Sequence, residues 1–190
     1  MPSVYYAISI FCDIRGSTRW QRSSYESQRL SVLLLQDFDK VLAKKFTEGC
    51  KISFLGDGFF IAARVYDPPA NLQVAQMFAI HKSIESAHVF SDVCARRGIT
   101  DRACKNLRLG WGISCGVVEA APLSGGIALV GPSIVIASRC CDAARPFGIV
   151  IDAAPFAGVS AQIEAIGFHL TKIELKDLGI CCVYTYPATA

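Results

Sequence analysis

The segment Lys51-Ile-Ser-Phe-Leu-Gly-Asp-Gly-Phe-Phe-Ile-Ala-Ala63, two apolar runs joined by a Gly-Asp-Gly turn, constrains this chain more than any other. It predicts a hairpin, Lys51 to Leu55 and Phe59 to Val65, whose tip lifts one carboxylate, Asp57, out of otherwise buried strands. A second apolar strand, Val4 to Cys12, ends the same way, in Asp13 and the small polar loop Ile14-Arg-Gly-Ser-Thr18. Asp57 alone reads equally well as a turn residue, and Asp13 alone as a helix N-cap. Together they suit a hard divalent cation and a phosphate. Mg²⁺ or Mn²⁺ takes oxygen ligands and is usually held by one or two carboxylates plus substrate phosphates, and loop amides ahead of a helix attract the anion.

The rest of the chain reads as alternating strands and helices in one domain, 1–190. Apolar residues at Leu30, Leu33, Leu34, Val41, Leu42 and Phe46 predict an amphipathic helix over Arg22 to Phe46, stopped by Gly49. Asp67-Pro-Pro-Ala-Asn71 breaks the chain before a second long helix ending near Cys94. Leu107 to Val118 alternates as a strand and carries Gly110, Gly112 and Gly116, which suggests a bend or a closely approaching backbone. Leu123 to Ile127 reads as a flexible link, Ala128 to Gly131 as a short strand, and Pro132 as the opening of a helix over Ser133 to Ala144. A strand at Gly148 to Asp152, a short helix at Ala153 to Ile166 and strands at Phe168 to Leu175 and Ile180 to Tyr186 complete an α+β sheet with flanking helices.

Composition excludes several function classes. At 190 residues and 52% hydrophobic content the chain can bury a full core without metal clips or disulfides. A formal charge of +3 with dispersed basic residues gives no footprint for nucleic acid. The cysteines number nine, an odd count with two vicinal pairs (Cys140-Cys141, Cys181-Cys182), and several sit in apolar runs. Buried free thiols in a reducing compartment are expected, and without a CxxC spacing a zinc site is not. No run is long enough to span a membrane and no signal segment is seen, so a cytoplasmic location without membrane contact is the expectation.

Two late cations complete the set of candidates. Arg139 follows Gly131 by eight residues, among small and apolar neighbours, and reads either as an ion-pair partner or as a cation aimed at phosphate charge. Lys176, in Leu-Lys-Asp-Leu-Gly between two strands, reads as a surface lysine unless the fold brings it to phosphate.

Phe11-Cys-Asp-Ile-Arg-Gly-Ser-Thr18, Phe54-Leu-Gly-Asp-Gly58, Gly112-Ile-Ser-Cys-Gly116, Gly131-Pro-Ser-Ile-Val-Ile-Ala-Ser-Arg139 and Leu175-Lys-Asp-Leu-Gly179 resemble, in order and spacing, the class III nucleotide cyclase catalytic domain. The resemblance implies a ferredoxin-like βααββαβ core with an antiparallel-rich sheet, and a head-to-tail homodimer with two shared sites. It implies that Asp13, Asp57 and the Ile14 carbonyl hold two Mg²⁺ or Mn²⁺ ions per site, and that Phe11, Gly16, Ser17 and Thr18 lie against the phosphates. One ion would promote loss of the ribose 3′-OH proton and the other would steady the triphosphate. Arg139 of the opposite protomer would stabilise charge at the transferring phosphorus, and Lys176 would meet the terminal phosphates.

The departures point to the base. Where purine cyclases of this family usually carry a lysine or glutamate, this chain has Ser53, and where they carry Asp, Thr or Cys it has Ala128. Lys51 shares a strand face with Ser53 and reads as a displaced lysine or as a solvated strand start. Val135 stands in place of the usual asparagine and Gly110 in place of a usual basic residue, for which Arg108 is a candidate substitute. A compact cyclase domain without sensor or linker, retaining Asp13, Asp57 and Arg139 but no purine code, looks most like the pyrimidine cyclases of bacterial anti-phage Pycsar systems. That likeness implies conversion of UTP, or less readily CTP, to cUMP or cCMP, read by a separate effector. Ser53, Phe54, Ala128 and Val130 are the candidate base contacts. A purine cyclase with a relocated base site and a non-catalytic nucleotide-binding or dimerisation module are the alternatives.

Overall fold

The computed structural model describes residues 3–47, 49–65, 70–99, 107–123, 126–145 and 148–187. The central element is β1 (Ser3–Arg15), paired antiparallel on one side with β3 (Gly58–Val65) and on the other with β4 (Arg108–Leu123). Its sequence alternates, so its side chains part between two faces. Ile8, Ile10, Cys12 and Ile14 are buried in the main core, whereas Ser9, Phe11, Asp13 and Arg15 turn the other way.

With β2 (Cys50–Leu55), β6 (Ile149–Asp152), β7 (His169–Leu175) and β8 (Gly179–Tyr186), the sheet runs in the order β2-β3-β1-β4-β6-β8-β7, and β5 (Gly126–Val130) pairs with the far end of β4. Every pairing is antiparallel except β4 with β6. The first four strands, with the helices between them, make the expected βααββαβ core.

One face is covered by α2 (Tyr25–Lys45) and α3 (Ala70–Arg96). Ser24 caps α2 by accepting the Ser27 N–H at 3.0 Å, Glu26 lies in its first turn, and Lys44 and Lys45 lie in its last, all favourable to the helix dipole. Ser31, Leu34, Phe38 and Leu42 form its buried stripe, and Phe38 makes edge contacts with Phe59 of β3 and Phe90 of α3. The predicted helix from Arg22 is therefore shorter at its start. A five-residue helix, α1 (Ser17–Gln21), precedes it, and the Ser24 cap separates the two.

The opposite face receives α4 (Pro132–Ala143), opened by Pro132 as expected. It packs backbone to backbone on β4, because a Cβ on Gly112 would lie 2.0 Å from the Ala137 carbonyl oxygen and 2.1 Å from the Cys141 nitrogen. Cys140 and Ala144 then pack on Val150, Leu175 and Val183, a second small core. A 3₁₀ turn (Ala154–Val159) and α5 (Ser160–Ala165) lead into β7.

β4 extends beyond the expected Val118 to Leu123, and the expected flexible link is largely strand. Leu123 pairs with Gly126 and Pro122 with Ile127, so ladder hydrogen bonds hold both sides of a hairpin whose Ser124 and Gly125 lie outside the described residues, as do Asp67-Pro-Pro69 of the expected break.

The Gly112 contact yields a prediction. Gly112→Ala must displace backbone and is expected to destabilise the protein by about 3 kcal/mol, whereas Gly116→Ala, whose nearest neighbour is the Ser133 Cβ at 3.3 Å, is expected to cost about 1 kcal/mol or less. Urea denaturation of the two variants checks the ranking.

Candidate active site

The two predicted carboxylates meet at one end of β1. Asp13 stands opposite Gly58 on β3 and Gly110 on β4, so no neighbouring side chain covers it from either strand. The hairpin turn brings Asp57 alongside: its backbone carbonyl accepts the Ile14 N–H at 3.3 Å, and its carboxylate accepts the Ser17 hydroxyl. Asp13, Ile14, Ser17 and Asp57 thus converge from β1, α1 and the β2–β3 turn. Gly16 bends the chain into α1 with φ near 80°, leaving Gly16 and Thr18 exposed beside the carboxylates and Ser17 buried under them.

Arg15, two residues beyond Asp13 on the same strand face, was not singled out by its sequence context. Its Nη1 donates to the Asp13 Oδ2 at 2.7 Å, and its Nη2 donates to the Cys141 carbonyl of α4. Cys141 in turn donates its thiol to the Gly110 carbonyl at 3.3 Å. The guanidinium lies directly over Gly110, where a Cβ would fall 2.4 Å from the Arg15 Nε. Arg15, and not the exposed Arg108, therefore fills the space beside Gly110. The only local signal was the same-face spacing from Asp13, since Gly110 and Cys141 are distant in sequence.

Burial pushes the Asp13 carboxyl above the usual carboxylate range, Arg15 pulls it back, and the nearby Asp57 charge pushes it up again. Arg145 and Asp142 act more weakly and in opposite senses, so the carboxylate pair is left with Arg15 as its principal positive neighbour among the described residues. The donor set is two carboxylates and the Ile14 carbonyl. Among the described residues there is no cluster of three or more His, Cys, Asp or Glu side chains. That chemistry fits Mg²⁺ or Mn²⁺ completed by phosphate and water, and does not fit an all-protein cage for a softer metal.

The expected base contacts divide. Ser53 stands opposite Phe60, Phe60 opposite Phe11, and Phe11 opposite Gly112, a row across the open face next to the Asp13 row. The Phe11 and Phe60 rings touch at 4.9 Å between centroids. Phe54 faces the other way, its ring edge-on to Phe59 at 5.6 Å on the helix-covered side, as strand alternation from Ser53 requires. Ala128 and Val130 lie on β5, which reaches β2 through Lys51: its Nζ donates to the Ile127 carbonyl at 2.6 Å. Lys51 is thus an exposed strand-start lysine, as one of its two readings has it, and its ammonium lies one residue from Ala128.

Arg139 and Lys176 gather elsewhere. Arg139 pairs with Asp177 at 2.8 Å and with Asp142 at 3.6 Å, and Lys176 lies exposed beside Asp177 in the β7–β8 turn. Asp177 holds a left-handed φ of 65° there, a conformation Asp tolerates. Ala137 and Cys141 face β4, so Arg139 between them projects from the far side of α4. The chain therefore carries two separate constellations, the carboxylates at Asp13 and Asp57 and the cations Arg139 and Lys176 with the Arg139 acid partners Asp142 and Asp177.

Among the described residues eight cysteines are without a disulfide; Cys12, Cys94, Cys115, Cys140 and Cys141 are buried as expected, whereas Cys50 and Cys181 are half-buried, Cys182 is exposed and Cys104 lies outside the described residues. Burial pushes the Cys141 thiol up to about 12, so it serves as a hydrogen-bond donor rather than a nucleophile. No helix of the described residues is long and apolar enough to cross a membrane.

The raised Asp13 value sets a sign. A carboxyl that binds its proton more tightly folded than unfolded favours the folded state at low pH, and that contribution is lost as pH rises through the raised value. Asp13→Asn, which keeps an oxygen for Arg15, is therefore expected to raise the thermal midpoint of the metal-free protein at pH 7 by roughly 2–4 °C. The same change should remove any stabilisation by Mn²⁺. Thermal melts with EDTA and with Mn²⁺ check both.

No protein-family model and no curated protein matches this sequence. Solved structures do match in shape. The adenylyl cyclase CyaB from P. aeruginosa superposes with a TM-score of 0.73 at 18% identity, covering 100% of this chain and 97% of that one. The catalytic core of a rhodopsin-guanylyl cyclase with converted specificity, solved with ATPαS, gives 0.70 at 16% identity over 99% of both chains. The non-canonical dimeric guanylyl cyclase domain of the RhoGC fusion protein from the aquatic fungus Blastocladiella emersonii gives 0.64 at 16% identity, covering 100% of this chain and 98% of that one. The TM-scores and near-complete mutual coverage show the fold: the chain has the class III nucleotide cyclase fold.

Proposed function

We propose that this protein is a nucleotide cyclase that converts a nucleoside triphosphate to its 3′,5′-cyclic monophosphate and pyrophosphate. The observation that carries this is the convergence of Asp13, Ile14, Ser17 and Asp57 at one end of β1. Asp13 and Asp57 would hold the divalent cations, with the Ile14 carbonyl assisting, and Gly16 to Thr18 would lie along the phosphates. Bound there, Mg²⁺ or Mn²⁺ lowers the pKa of the ribose 3′-OH and offsets the triphosphate charge. The 3′-oxygen gives up its proton to solvent, bonds to the α-phosphorus, and the bond to the bridging oxygen breaks as pyrophosphate leaves.

Arg139 projects away from its own carboxylates and sits with Lys176, so both are assigned to the site of a second copy. A symmetric homodimer then completes two sites, each with one protomer's carboxylates and the other's cations. Arg139 meets charge at the transferring phosphoryl group and Lys176 the terminal phosphates.

The base is assigned as a pyrimidine, UTP before CTP. Ser53 and Ala128 offer no charged purine contact, and the Phe11–Phe60 pair narrows the row beside Ser53. The cyclic product would act as a messenger read by a separate effector in anti-phage defence. One observation favours a second reading, a purine cyclase: the Lys51 ammonium lies at the Ile127 carbonyl, one residue from Ala128, where it can donate to a purine edge.

Incubation of the purified protein with each of the four ribonucleoside triphosphates and Mn²⁺ tests this. Cyclic product and pyrophosphate from UTP or CTP are expected; product from ATP or GTP alone would favour the purine reading, and none from any would reject cyclase activity. Asp57→Ala is expected to lower turnover roughly 1,000-fold with the fold intact. Full activity in that variant would contradict the metal assignment.

A further inference from the structure

Arg15 has a seat made for it. β4 gives up its side chain at Gly110, the guanidinium fills the vacated volume, and a Cβ there would lie 2.4 Å from Nε, 2.6 Å from Nη2 and 2.9 Å from Cζ. The wall of the seat is α4, whose Cys141 carbonyl accepts from Nη2 while its thiol closes onto the Gly110 carbonyl at 3.3 Å. Only 12% of the side chain remains open. A guanidinium carries five N–H donors in a fixed plane. Among the described residues, Nη1 meets the Asp13 carboxylate, Nη2 meets the Cys141 carbonyl and, at 3.5 Å, its sulfur, and Nε is buried with no acceptor.

The seat thus orders a cation at the rim of the carboxylate pair and leaves donor capacity unspent. An ion pair with Asp13 satisfies this arrangement only while that carboxylate is free. Once a divalent cation shares the Asp13 charge, the guanidinium is left beside an anion that the cation brings with it. A planar fork suits phosphate oxygens better than a point charge does.

We propose that Arg15, seated on Gly110, is a triphosphate-binding residue of this site, donating to a phosphate oxygen of the cation-bound nucleotide. It rests on the cyclase reading for the identity of the nucleotide, but not for the binding of phosphate. Residues 15 and 110 compete for one volume, so a guanidinium rooted on β4 can replace one rooted on β1 and the two cannot coexist.

The test is calorimetric binding of tripolyphosphate with saturating Mn²⁺, alongside steady-state kinetics with the preferred nucleotide. Arg15→Ala is expected to weaken tripolyphosphate binding and raise KM by roughly tenfold to a hundredfold, with a smaller change in kcat. Arg15→Lys should fall between. Gly110→Arg alone should be impaired, and Arg15→Ala/Gly110→Arg should regain binding toward the wild-type value, a rescue that a merely structural arginine does not predict. Circular dichroism melts report folding; if Arg15→Ala does not fold, Arg15→Lys and the double variant carry the comparison. Wild-type affinity in Arg15→Ala or Arg15→Lys, or a folded double variant that regains nothing, would overturn the assignment, as would a wild-type protein that does not bind tripolyphosphate. Tripolyphosphate binding that depends on Arg15, without cyclic product from any nucleotide, would reject the cyclase reading and leave this one standing.

Discussion

The backbone contact between α4 and β4 at Gly112 is the constraint from which the site follows. With no Cβ at that position, the Ala137 carbonyl and the Cys141 amide come down onto the strand itself. That closeness fixes the helix in rotation as well as in distance, because a peptide backbone cannot yield as a side chain end can. Two consequences are immediate. Arg139 must point away from the sheet, toward Asp177, and the Cys141 carbonyl must lie within reach of Arg15. One helix thus serves both constellations, holding the guanidinium beside Asp13 with its inner side and presenting Arg139 with its outer side.

Charge then divides the chain into complementary halves. The acidic half is partly buried, with a carboxyl at Asp13 that burial and Asp57 both disfavour in its ionised form. Of the two cations, Lys176 is exposed and Arg139 is half-buried, and among the described residues Arg139 pairs with the exposed acids Asp142 and Asp177. Surface pairs of this kind are worth little, roughly 0–1 kcal/mol, so they yield easily to a stronger anion. Under the proposed reading, a protomer arranged this way has what phosphate chemistry needs but not in one place, and a second copy would supply the rest.

Much of this was legible in the sequence, and what was not has physical reasons. The Gly56-Asp57-Gly58 turn and the start of α4 at Pro132 are local signals and formed where their residues required, whereas β1 runs past Asp13 to Arg15, because Ile14 and Arg15, expected in a loop, pair with Leu109 and Arg108 of β4. The Ser24 cap that divides the first helical segment was equally local but was overridden by the longer apolar period around it. The pairing that turns the expected link after β4 into a hairpin is not local, since Glu119 to Leu123 find partners only through β5. At the site, Asp13 and Asp57 are legible because a carboxylate that closes an apolar run, or sits between two glycines, stands out locally. Arg15 is not, because its meaning lies in Gly110 and Cys141, an absence on one strand and a carbonyl on a distant helix. Phe54 was placed with the base contacts by proximity in sequence, and strand alternation sends it to the opposite face from Ser53.

The central claim is that each site is shared between two copies, with carboxylates from one and Arg139 from the other. It is tested most directly by mixing Asp57→Ala and Arg139→Ala chains, each inactive alone, under conditions in which heterodimers form. A mixed dimer places both substitutions in one site and leaves the other intact. Equal mixing, with half of the dimers mixed, should then restore about one quarter of wild-type turnover. Heterodimers that form, shown by tag-specific purification, yet recover no activity would contradict the account.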